Sequence, residues 1–380
     1  MAERAKRGVR PRRRWKLLAA AAATAVLWAG VTCVPPKSFR QVKAPREGRA
    51  MNRRVAVVYS KHYQINLAGL EKLHSFDIRK YAKIYLKLNT EGLLRAEDVF
   101  VPEAVTREQV LRVHSPAFLD SLGDPKAVAR YMEAPLVAAA PAPVVDAAIL
   151  NAFRHATGGT VLAGRLALTH GIAINLAGGY HHAKPDAGEG FCVYADMPIA
   201  IRDLQADGRI RRALVVDLDV HQGNGTAECF AGDDDVFTFS VHEDDIYPIP
   251  KATSDLDVAL PAGTTDAAYL AALKRHLPGV IERARPDIVF LQAGCDTLAG
   301  DPLARMRMTP EGIVRRDAVV IDACAGRGIP VAMVLGGGYS ERAWEVQYRS
   351  VRRTLRKYGL PDGRARPPRD PTLKEKVYTK

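Results

Sequence analysis

Six short, largely apolar runs punctuate this chain, at residues 55–59, 172–176, 213–218, 236–241, 288–292 and 331–335. A strand with one wet face alternates apolar and polar positions, so runs as continuous as these predict strands covered on both faces, as in parallel sheets. The stretches between them carry helix signals. Residues 77–88 place apolar side chains at helical spacing, Thr106-Arg107-Glu108-Gln109 reads as a capping box, and Ser115-Pro116 starts a further helix with proline at its first position. The Ala/Pro-rich stretch 135–143 reads as a loop near a pocket mouth or a short edge segment. Strand alternating with helix, without an internal repeat, predicts an α/β fold: a single open, mainly parallel β-sheet with helices on both faces. About 300 residues of this pattern make one domain large enough to bury a two-sided core.

Charge changes the picture at the ends. The formal net charge is +13, but residues 1–54 hold fifteen of the 55 Lys/Arg and only two of the 42 Asp/Glu, which leaves forty of each sign in the rest. A domain balanced in this way has no electrostatic footprint for a phosphate backbone, so direct nucleic-acid binding by it is not expected. The N-terminal excess has another explanation. A basic stretch, residues 4–16, precedes eighteen residues without a charge, 17–34, and then Pro35-Pro36. Eighteen helical residues span about 27 Å, close to the hydrocarbon thickness of a bilayer. A cleaved signal peptide has a shorter apolar core and a small-residue exit, so an uncleaved membrane anchor is favoured, with Arg12-Arg13-Arg14-Trp15 only faintly suggesting a twin-arginine signal. Basic residues flank the span on both sides, so the positive-inside rule hardly decides its orientation; an exported or periplasmic face is the expectation. The Pro- and Lys/Arg-containing end of the chain reads as a disordered tail.

Candidate chemistry sits where the apolar runs end. After 213–216 come Asp217-Leu218-Asp219-Val220-His221-Gln222-Gly223-Asn224-Gly225, and in extended chain Asp217, Asp219 and His221 share one face. Carboxylate oxygen with imidazole nitrogen suits a borderline divalent ion such as zinc. Three other runs end similarly: in Gly178-Gly179-Tyr180-His181-His182, where either histidine suits a general base; in Ala293-Gly294-Cys295-Asp296, where Asp296 suits a third ligand; and in Gly336-Gly337-Gly338-Tyr339, a turn able to carry a phenol to a reacting carbonyl. Singly, each also reads as a helix cap, a surface histidine pair or a tight turn. Together they match the rule that open α/β sheets gather ligand-binding groups at the carboxyl ends of their strands.

These blocks, in this order, resemble the active-site blocks of zinc-dependent histone deacetylases and related amidohydrolases of the arginase-deacetylase superfamily, over about residues 55–355. The likeness is closest to class IV, through Val58-Tyr59-Ser60, residues 69–77, Thr157-Gly158-Gly159-Thr160 and residues 221–225. The resemblance implies a three-layer α/β/α catalytic domain at 55–358, preceded by the basic and hydrophobic segment with its linker at 1–54 and followed by the tail at 359–380. It implies one catalytic zinc on Asp219, His221 and Asp296, with His182 as general base and acid, His181 beside it oriented by Asp217, and Tyr339 donating to the oxyanion. Gly190, Phe191, Gly337 and Gly338 would line the acyl-lysine tunnel. Asn224 stands where class I enzymes carry an aspartate facing the base histidine, which implies a lower pKa for His182. A potassium ion is implied on the backbone carbonyls of Asp217, Asp219, His221 and Val241 with the hydroxyl of Ser240. The implied activity is hydrolysis of an amide that joins an acetyl or longer fatty acyl group to a lysine side chain or related amine, the partner being an acylated peptide, an acylated protein or a small acyl-amine.

Three alternatives share parts of this pattern. An arginase-like binuclear manganese hydrolase needs further Asp/His ligands that these blocks do not supply. An acetylpolyamine hydrolase uses the same residues, with acidic side chains at the entrance. A catalytically silent acyl-amine binding protein would have a broken ligand or tyrosine position, and none is broken. The five cysteines lack paired spacing and read as buried thiols; His62, His114, His155, His170 and His276 read as surface or structural, with His74 and His242 left open.

Overall fold

The computed structural model describes residues 54–66, 69, 71 and 74–359. The expected anchor at 17–34, most of the expected tail and several residues of 69–77 therefore lie outside the described residues. Among the described residues, no helix is long and apolar enough to cross a membrane.

Eight strands form one sheet: β1 (Arg54–Val58), β2 (Val99–Phe100), β3 (Gly171–Asn175), β4 (Ala213–Asp217), β5 (Val236–Glu243), β6 (Leu256–Leu260), β7 (Ile288–Gln292) and β8 (Val331–Val334). Their order is β2-β1-β3-β8-β7-β4-β5-β6, and every neighbouring pair is parallel. The long helices are α1 (Lys80–Thr90), α2 (Asn151–His170), α3 (Asp196–Ala206), α4 (Asp266–Ala284), α5 (Pro310–Ala325) and α6 (Ala343–Thr354). Alternate strand residues divide between two cores. Ala56, Val58, Ala173, Val215, Phe290 and Val334 pack with α2 and α3; Val55, Val57, Ile174, Val216, Leu291 and Met333 pack with α1, α4, α5 and α6. Burial on both faces is why the runs look continuous in sequence.

The six expected strands are all present, with ends shifted by a residue or two. The two that periodicity does not reveal are edge strands: β2 is two residues long, and β6 is interrupted by Asp257 and only partly buried. The capping box at Thr106 forms in both directions, and Ser115 caps its helix ahead of Pro116. One helix starts later than expected, at Lys80 rather than 77, because the Asp77 carboxylate closes a turn on the Arg79 N–H at 3.1 Å before the helix begins. The 135–143 stretch is neither a loop nor an edge segment. It forms helical turns at Pro135–Ala139 and from Ala142, each with proline in its first turn, and packs on the helix Pro125–Tyr131 with Val137 buried.

The topology positions the chemistry. Strands β3, β8, β7 and β4 are consecutive neighbours in the centre of the sheet, so the four motif-bearing loops leave the same edge side by side.

Candidate active site

The loop after β3 is fixed from beneath. Within α2, Gly158 and Gly159 cost helix propensity, but a Cβ at Gly158 would lie 2.0 Å from the Glu103 carbonyl oxygen and one at Gly159 2.2 Å from the Tyr63 hydroxyl. That close approach lets Tyr63 donate to Asn175 Oδ1 at 2.8 Å while Asn175 Nδ2 donates to Thr160 at 3.0 Å. Thr160 donates to the buried Asp196 at 2.6 Å, and Asp196 accepts the N–H groups of Gly179 (2.8 Å) and Tyr180 (2.7 Å). The next two residues are His181 and His182.

Asp219, His221 and Asp296 converge, with one potential ligand atom from each lying within 4.8 Å of the others and all three residues buried. His221 Nδ1 lies 3.2 Å from Asp219 Oδ1 and 3.3 Å from Asp296 Oδ2. Both carboxylates are held by backbone: Asp219 Oδ2 accepts from Gly337 N–H at 3.0 Å and Asp296 Oδ1 from Val220 N–H at 2.9 Å. Two acids facing one buried point repel. Burial first, and then the Asp219 charge, push Asp296 up to about 7. Asp296 Oδ2 is buried without a hydrogen-bond partner. An orphaned oxygen, a second carboxylate and an imidazole nitrogen aimed at one point fit a divalent cation. Space around them is left by glycine, since a Cβ at Gly294 would fall 1.9 Å from Asp219 Oδ2 and one at Gly337 2.3 Å from Asp296 Oδ2. Gly294→Ala is therefore expected to shift Asp219 and weaken metal binding about tenfold to a hundredfold, the usual size for disturbed ligand support. Metal titration of the folded variant measures this, and an unchanged affinity would contradict the cradle. Among the described residues this is the one such cluster found, and Asp217 is turned away to His181, which does not match a binuclear site.

The two histidines differ in their partners. His181 Nδ1 meets Asp217 Oδ2 at 2.7 Å; burial opposes its charge, but Asp217 and Asp219 prevail and raise it to about 9. His182 Nδ1 meets Asn224 Oδ1 at 2.6 Å, and burial, together with the neighbouring His181 and His221, holds it well below the usual imidazole range. A neutral His182 that donates from Nδ1 leaves Nε2 as an acceptor.

Aromatic rings surround this point. Phe191, at φ +65° after Gly190 at φ +52°, lies 5.8 Å from the Tyr339 ring, and Tyr339 lies 6.3 Å from His221. His74 packs edge-on behind Phe191 at 4.6 Å, its own nitrogens engaged by Met132 O and Phe76 N–H. Burial, and then Asp296 and Asp219, raise the Tyr339 phenol well above its usual range, so it is a neutral donor. Its backbone N–H donates to Asp301 at 2.8 Å.

Asp217, Asp219, His221, Asn224, Asp296, the histidine pair, Phe191 and Tyr339 lie around one point. Gly337, expected against substrate, commits its N–H to Asp219, and Gly338 (φ +126°) packs on Cys295. Of the atoms expected around potassium, Ser240 Oγ pairs with His242 Nδ1 at 2.9 Å and Val241 O accepts from Tyr269 at 3.1 Å. His114 is structural, bridging Pro185 O and Ala195 N–H, and the four described cysteines are free thiols.

Three participants are absent from the motif reading. Lys80 is buried and donates to the carbonyls of Gly336 (2.7 Å) and Gly337 (3.3 Å), holding the loop that carries Tyr339. Its signal is in the sequence: Lys80, Ile84 and Leu88 share one helical face, which puts a lysine on an otherwise apolar stripe. Tyr247 stands 4.9 Å from His182 and 6.2 Å from His221, and Glu189 hydrogen-bonds both Tyr247 and Asn224. No spacing rule connects these two to the motifs.

The histone deacetylase domain profile matches residues 74–355. An uncharacterised protein of Picosynechococcus is 39% identical over 77% of this chain and 95% of its own length. Histone deacetylase 2 of Arabidopsis thaliana is 35% identical over 81% of this chain and 80% of that protein. The crystal structure of the HDA15 HD domain superposes with a TM-score of 0.64 at 22% identity, covering 80% of this chain and 89% of the other, a likeness of fold.

Proposed function

Because this chain belongs to the histone deacetylase family, we propose that it is a zinc-dependent hydrolase that removes an acyl group from a lysine side chain or a related amine. The observation that carries the reading is the convergence of Asp219, His221 and Asp296 beside His182, whose Nδ1 faces Asn224 Oδ1. When bound, zinc on these three residues supplies a Lewis acid that lowers the pKa of water and polarises the amide carbonyl. The remaining steps belong to the chain. His182 Nε2 takes the proton of the attacking water and returns one to the leaving amine. Asp217 keeps His181 oriented beside it through the 2.7 Å contact to Nδ1. The Tyr339 hydroxyl donates to the oxygen that gains charge. Phe191 and Tyr247 stand beside Tyr339 and His182, where the substrate approaches.

Acyl length is the open variable, and the class IV likeness leads us to propose that longer fatty acyl chains are better substrates than acetyl. Each methylene buried in an apolar channel contributes roughly 0.8 kcal/mol, so several outweigh most polar differences between substrates. The expected result is a rise in kcat/KM from acetyl to octanoyl, decanoyl and myristoyl on one lysine peptide, with acylpolyamines run alongside. A monotonic fall from acetyl would leave a plain deacetylase, and faster turnover of acylpolyamines would move the amine from lysine to polyamine. The proposal places the domain at a membrane through residues 17–34.

A further inference from the structure

The base histidine of this site faces an amide. Asn224 Oδ1 lies 2.6 Å from His182 Nδ1, and an amide has two ends. Reversed, its NH2 group would face Nδ1, favouring the imidazole with its lone pair there and its proton on Nε2, which cannot accept a proton from water. Something must choose between the two orientations. Asn224 Nδ2 donates to Glu189 Oε1 at 3.0 Å. An ionised carboxylate only accepts hydrogen bonds, so this contact permits only the orientation that presents Oδ1 to His182. Glu189 is itself pinned: Oε1 also accepts from the Tyr247 hydroxyl, Oε2 meets Lys184 Nζ at 3.0 Å, and its backbone N–H donates to Cys192 O at 3.0 Å. Although burial favours protonation, these donors, Tyr247 foremost, keep the carboxyl below its usual range and therefore ionised.

We propose that Glu189 is a positioning residue that acts on His182 through Asn224. It sets the proton on His182 Nδ1, leaves Nε2 free to accept, and places a negative charge one amide away from the imidazolium that forms during turnover. Glu189 exchanges no proton itself: Nδ1–H stays in place while Nε2 takes a proton from water and passes it to the leaving amine. The kinetic consequence rests on the hydrolase reading; the tautomer does not.

The test uses the metal-loaded full chain and two readouts. By nitrogen NMR of histidine-labelled protein, His182 is expected as the Nδ1–H tautomer, and Glu189→Ala is expected to populate the Nε2–H form. In parallel, Glu189→Ala should lower kcat about tenfold to a hundredfold, as for other residues that orient a reacting group, with bound metal retained and KM little changed. Glu189→Gln keeps an acceptor for Asn224 and should lose less than the alanine variant. Asn224→Asp alone sets two carboxylates against each other and should lower kcat; adding Glu189→Gln should recover about tenfold of that loss, as coupled neighbours do. An unchanged tautomer in Glu189→Ala, or equal losses in the alanine and glutamine variants with no recovery in the double variant, would overturn the proposal. A wild-type chain without hydrolase activity whose tautomer still shifts in Glu189→Ala would sink the hydrolase reading and leave the role of Glu189 standing.

Discussion

His221→Ala is expected to yield a folded protein that no longer holds a metal ion and turns over no acylated amine. His221 contributes the ring nitrogen between two buried carboxylates, 3.2 Å from Asp219 and 3.3 Å from Asp296. Without it, two acids face each other across a cavity, and burial and mutual repulsion favour protonating one of them over holding a cation. The loss of affinity should exceed the roughly tenfold to hundredfold that follows removal of a mere supporting partner. The fold should survive, because the ligand loops leave the edge of a sheet whose two cores lie below them. Metal content and turnover measured on the same preparation check this. Stoichiometric metal in the variant would remove His221 from the site.

The second large effect separates chemistry from binding. Tyr339→Phe should keep metal, fold and KM while kcat falls roughly a hundredfold to a thousandfold, the range for loss of one oxyanion donor. The basis is a phenol that burial keeps neutral, on a loop clamped from two sides by Asp301 and Lys80. A hydroxamate, which chelates the metal, should bind the variant nearly as well as wild type. Full turnover in Tyr339→Phe would assign the oxyanion to another donor.

Much of this was legible in the residues because parallel sheets impose simple rules. Strands buried on both faces read as apolar runs, and the residues just past their ends are the ones that meet. That rule located Asp219, His221, Asp296, the histidine pair and Tyr339, and the structure adds that β3, β8, β7 and β4 are neighbours. What escaped is what tertiary packing alone decides. Glu189, on the same loop as His182, meets Asn224 35 residues on and Tyr247 58 residues on, with no periodicity linking them. The strand β6, half-wet and broken by Asp257, shows neither a continuous run nor clean alternation. The Ala/Pro-rich composition of 135–143 reads as a loop or edge segment, whereas proline in a first turn starts a helix.

A metal ion at Asp219, His221 and Asp296 is expected to be needed for amide cleavage. Release of free amine from an acyl-lysine peptide by the purified chain, followed before chelation, after chelation and after adding back zinc, tests it most directly. Activity is expected to disappear with the metal and to return with one equivalent of zinc. Amine release that continues undiminished in the metal-free protein would contradict it.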